Sequence, residues 1–88
     1  MVVQDLTPEL RDRLNIPADI SGVLVAQIGQ DNPALNALQQ GDVIMELERK
    51  PVANVKEYSE VVAKIGPKDG VLLLIYREGS TIFITLKP

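Results

Sequence analysis

The sequence predicts an α+β domain: five to six short strands forming a small β-barrel or sandwich, capped by two to three helices. Two observations lead there. Runs of β-branched and alternating residues are interleaved with helix-like stretches that carry their own start and stop residues. The chain has 88 residues, enough for one hydrophobic core and too few for two, and no repeat, linker or low-complexity stretch interrupts it. Residues 1–88 are therefore expected to form a single domain.

Each element has a local reason. "MVVQDL" opens on Met1, Val2 and Val3 and reads as a short strand with nothing before it. In "TPELRDRLNIP", Thr7 can accept from the first turn's free N–H groups, Pro8 suits the first helical position, and Asn15 can take the left-handed conformation that ends a helix. "ISGVLVAQI" has the β-branched composition of a core strand. Asn32-Pro33 repeats the cap-plus-proline start, and Ala34, Leu35, Ala37 and Leu38 form a short amphipathic helix. After Gly41-Asp42 the pattern changes to period two, placing Val43, Met45 and Leu47 on one face and Glu46 and Glu48 on the other, as in a half-exposed strand. "ERKP" is a polar turn, after which Pro51 and Val52 supply a very short strand. Asn54 with Glu57 three residues on is a capping-box spacing, and Gly66-Pro67 ends the helix it begins. Val71 to Tyr76, apolar throughout, reads as a central strand, and Glu78-Gly79 as a tight hairpin turn into the last one.

Composition narrows the function. The net charge of −3 is spread without a cationic run, which excludes the electrostatic footprint of a nucleic-acid binder and disfavours anionic membrane surfaces. The longest apolar run is far short of a membrane span, so no direct membrane insertion is expected. The absence of Cys fits either a reducing or an oxidising compartment. With no His in the chain, neither a Ser-His-Asp site nor a Cys-His site can be assembled from these residues. Ser21, Ser59 and Ser80 lie in no nucleophile-elbow pattern. Glu46 and Glu48 could be imagined as an acid/base or metal pair, but a solvated strand face gives the same pattern. No catalytic residue, metal or cofactor is expected.

Binding remains. An unpaired opening strand beside an amphipathic helix is the geometry by which small domains accept a peptide as an additional strand. On the helix, Val55, Ser59 and Val62 share one face, while Tyr58, Val61 and Ile65 share an adjacent one. Periodicity alone fits equally well with both faces being core. Ser59 favours a groove, because a buried hydroxyl without a partner is costly.

The order of "SGVLVAQI", "NPALNALQQGDVIMELERKPV", "NVKEYSEVVAKI" and "VLLLIYREGSTIFITL" closely resembles a PDZ domain across essentially the whole chain. It is most similar to the circularly permuted type at the C-terminal end of bacterial HtrA/Do-type (Deg) serine proteases. Asn32-Pro33-Ala34, Ala37-Leu38, Gly41-Asp42-Val43-Ile44 and Val52 match most of that family's pattern. It departs at Asn32, where the family has Ser, and in lacking the glycine between Ala37 and Leu38. Gly41 then supplies backbone freedom at a corner, and Asp42 is a capping or turn residue, architecture rather than chemistry.

The resemblance implies that a C-terminal or unfolded polypeptide segment lies antiparallel to Met1, Val2, Val3 and Gln4 and meets Val55, Ser59 and Val62 with its side chains. Val55 stands where domains that select Ser or Thr ligands place His, which implies hydrophobic ligand side chains. The family's carboxylate-binding loop precedes the first strand, so the segment looks excised from a longer protease, with part of its carboxylate site absent or replaced by Met1. The implied role is substrate recruitment or regulation for a serine endopeptidase whose catalytic domain lies upstream in the same chain. The parent would be homo-oligomeric and located in the periplasm or cell envelope. The alternatives are a structural or oligomerisation domain with an idle or filled groove, or the PDZ domain of a site-2 metalloprotease or secretion component.

Overall fold

The computed structural model describes residues 2–28, 38–65 and 70–86. Its elements run β1 (Val2–Asp5), α1 (Pro8–Leu14), β2 (Val23–Gln27), β3 (Val43–Leu47), β4 (Lys50–Pro51), α2 (Val55–Ile65), β5 (Val71–Arg77) and β6 (Ser80–Leu86). The expected helix from Asn32 lies outside the described residues except for Leu38, and so does the Gly66-Pro67 stop.

The helix ends form as their cap residues dictate. Leu10 N–H donates to Thr7 Oγ1 at 3.2 Å, and Asn15 closes α1 at φ 55°. At α2, Glu57 N–H donates to Asn54 Oδ1 at 2.9 Å while Ala53 N–H donates to Glu57 Oε1 at 2.8 Å. The carboxylate thus reaches one residue further back than in the usual reciprocal cap.

All strand pairs are antiparallel, in the order β1-β2-β3-β5-β6, with β4 on β3. The α+β class holds, and the sheet is open rather than closed into a barrel. β3 is its hub, pairing first with β2 and then with β4 along one edge and with β5 along the other. Two residues in the left-handed region, Glu78 (φ 47°) and Gly79 (φ 85°), make the β5–β6 turn. That is the backbone a two-residue hairpin requires.

Each face of the sheet carries its own core. Val23, Val25, Leu38, Ile44, Leu47, Val52, Leu73 and Ile75 are buried together, and Tyr58, Val61 and Ile65 of α2 pack on them. On the other face Ile16, Leu24 and Val43 are buried with Leu6 and Leu10 packed over them.

This division corrects the period-two reading of β3. Val43 and Met45 face the second core, but Leu47 joins Ile44 in the first. The register against β5 shifts between Ile44 and Glu46, and the extra residue there turns the rest of the strand over. Both faces are covered, with Val43 and Ile44 at 0% exposure, so β3 is a central strand and not a half-exposed one. Glu48 and Arg49, at φ 51° and 65°, form the turn into β4. Glu48 therefore leaves the strand face it was expected to share with Glu46, and its Oε1 accepts from Leu72 N–H at 3.3 Å.

Burial raises the Tyr58 phenol above its ordinary pKa of 10.0. The folded state then holds its proton at a pH where the unfolded chain releases it, so the titration of this group leaves stability unchanged below about pH 10 and lowers it above. Urea midpoints measured at increasing alkaline pH are expected to fall less steeply in Tyr58→Phe than in the native chain.

Candidate functional site

β1 is short because Leu6 and the Thr7-Pro8 helix start end it, and its only strand partner among the described residues is β2. Its other edge, beside α2, keeps outward N–H and C=O groups available for a further strand. Val3 turns inward onto the first core, while Gln4 is exposed and Val2 is 51% exposed.

Opposite stands α2, whose 3.6-residue period separates two faces. Tyr58, Val61 and Ile65 are half-buried on the core, Ser59 is exposed and Val62 is 45% exposed. The alternative in which both faces are core is therefore excluded. Val55 sits between the two, half-buried and touching the core. Of the expected site residues, Val2, Val3 and Gln4 lie on the free strand and Val55, Ser59 and Val62 on the neighbouring helix. Met1 falls outside the described residues.

One side chain ties these walls together, and sequence reading missed it. Asp5, the last residue of β1, accepts the Val55 N–H of the first helical turn through Oδ1 at 2.7 Å. That N–H has no partner within its own helix, and the helix dipole favours a carboxylate there. Asp5 and Val55 are 50 residues apart, so no local pattern could announce the contact.

Asp42, expected as a capping or turn residue, caps the Gln39 N–H and is the acceptor of a buried ion pair. It is 2% exposed, and Arg77 donates to it twice, Nε to Oδ1 at 2.9 Å and Nη2 to Oδ2 at 2.7 Å. Gln39 N–H donates to Oδ2 at 2.8 Å. These hydrogen bonds hold the Arg77 guanidinium in its charged form, above its usual range. Gly41, at φ 97°, makes the corner that presents Asp42. A cleft of about 200 Å³ beside this pair and another of about 320 Å³ bounded by Pro51 and Glu57 both lie away from β1.

A model of the PDZ domain matches residues 2–87. The chain belongs to the PDZ family. Its relatives are proteases of the HtrA/DegP type. It is 35% identical over 85 residues to a probable periplasmic DegP-like serine endoprotease of Hahella chejuensis, covering 97% of this domain and 18% of that protein. It is 35% identical over 86 residues to the corresponding protein of Chlamydia trachomatis, covering 97% and 17%. The domain thus spans under a fifth of the length of these relatives. Their names support a periplasmic or cell-envelope location.

Among solved structures, the HtrA-type protease AlgW with a decapeptide superposes at a TM-score of 0.83, with 28% identity, over 97% of this domain and 26% of that chain. The HtrA3 PDZ domain, bound to a phage-derived ligand of sequence FGRWV, gives 0.78 at 24% identity over 100% and 80%, a likeness of fold alone.

Proposed function

We propose that this PDZ domain binds C-terminal or unfolded polypeptide segments as an added strand between β1 and α2. The reading rests on one observation: β1 has a free edge among the described residues, α2 lies beside it with Ser59 and Val62 exposed, and the Asp5 carboxylate holds the Val55 N–H between the two. Backbone groups of Val2, Val3 and Gln4 pair with the peptide and supply affinity independent of sequence. Val55, Ser59 and Val62 meet alternate side chains and supply selectivity. With an aliphatic Val55 at the helix start, no imidazole acceptor is available for a ligand hydroxyl, so hydrophobic ligand side chains are preferred.

The decapeptide carried by the AlgW structure supports the binding of a polypeptide segment. The DegP-like relatives are named serine endoproteases, which supports a role in bringing substrates to such an enzyme or regulating its activity. The parent assembly is proposed to be a homo-oligomer. No group in this segment performs the hydrolysis.

Amide-resolved NMR titration with short peptides ending in valine tests the proposal. Shifts are expected to cluster on Val2 to Gln4 and Val55 to Val62. Val62→Lys should weaken binding about tenfold, equivalent to about 1.4 kcal/mol, through the lost apolar contact. A peptide with valine two residues before its end should bind more tightly than one with threonine there. Absence of shifts, also with a version extended upstream, would favour the structural role instead.

A further inference from the structure

The opposite border of the sheet is a second free edge with different chemistry. β6 pairs only with β5 among the described residues. Its hairpin closes on Arg77↔Ser80, so the alternate pairs Tyr76↔Thr81, Leu74↔Phe83 and Leu72↔Thr85 are the non-hydrogen-bonded ones. Thr81, Phe83 and Thr85 therefore turn their backbone N–H and C=O groups outward. All three are exposed, Phe83 at 64%, while Ile82 and Ile84 pack inward on the first core.

Edge strands are ordinarily protected from pairing by charge, proline or a bulge. Between Ser80 and Leu86 there is no charge and no proline, and the pairing with β5 runs without a register shift. The core of the strand, Thr81-Ile82-Phe83-Ile84-Thr85, reads the same in both directions.

We propose that β6 pairs antiparallel with β6 of a second copy of this chain, about a two-fold axis through Phe83. In that register Phe83 faces Phe83, Thr81 faces Thr85 and Ile82 faces Ile84. Each is a favourable cross-strand pair, and the outward groups of Thr81, Phe83 and Thr85 exchange hydrogen bonds across the axis. Two molecules of net charge −3 meet along a stretch that carries no charge at all, so no like charges are opposed within the strand. The shared area is well below the 1,200 to 2,000 Å² typical of stable complexes, so association is weak and reversible. The axis lies at the far border of the sheet from β1, which leaves the peptide groove open.

Sedimentation equilibrium of the 88-residue chain tests this. A monomer–dimer equilibrium with a Kd between about 10 μM and 1 mM is expected. Phe83→Lys and Phe83→Glu should each be monomeric with denaturant midpoints close to the native one, since the side chain is exposed. An equimolar mixture of the two variants should associate more tightly than either alone, because position 83 faces itself. A native chain that stays monomeric to about 1 mM overturns the proposal, as does a Phe83→Lys chain that dimerises like the native one or a mixture no better than its components.

Discussion

Replacing Asp42 with alanine is expected to lower the unfolding free energy by about 3 kcal/mol, towards the lower end of what breaking a buried ion pair costs. The substitution removes a bidentate acceptor from Arg77 and a charged acceptor from Gln39 N–H. It also leaves space where a 2% exposed carboxylate stood. Arg77, at 23% exposure, can turn part of its guanidinium to water, which keeps the cost below the maximum. A domain of 88 residues holds only about 4 to 13 kcal/mol in total, so a large share is lost. Asp42→Asn keeps the shape and one acceptor oxygen, and should cost about half as much. Urea unfolding of the three chains distinguishes these outcomes. Equal midpoints for Asp42→Ala and the native chain would mean that the pair contributes nothing.

Gly22→Ala is expected to be comparably severe, at about 3 kcal/mol or more, although it adds a single methyl group. A Cβ at this position would run into the carbonyl oxygen of Ile44 and lie 2.8 Å from Val43 Cγ1 and 2.9 Å from Ile44 C. The obstacle is backbone, and that backbone belongs to the hub strand with both faces buried. Relief would require β2 and β3 to separate where Val23 pairs with Ile44. A midpoint within about 0.5 kcal/mol of native would show that the strands yield at little cost.

These two residues also show what was legible in the sequence. Gly22 reads as a strand boundary, yet its real constraint is the approach of a strand some twenty positions further on. Asp42 reads correctly as a turn residue, since Gly-Asp before an alternating run is a local pattern, but its partner Arg77 lies 35 residues away. The caps at Thr7, Asn15, Asn54 and Glu57 were readable because both partners sit within one turn of the chain. The shift between Ile44 and Glu46 was not, because an inserted residue leaves the apolar spacing looking like ordinary alternation. At the groove, periodicity separated the two faces of α2 but could not say which meets the core. That depends on where the sheet lies. The Asp5 tie to Val55 depends on the completed fold as well.

The register shift in β3 has a consequence for how the molecule comes apart. Alternation puts Val43 of β3 in the layer under α1 and Ile44 in the layer under α2, and the turn-over adds Leu47 to the latter. Neither layer can dissolve without withdrawing a strand the other needs, so the two cores melt as one cooperative unit. β1 lies at the border of the sheet, so a chain that pairs with its free edge leaves that unit closed.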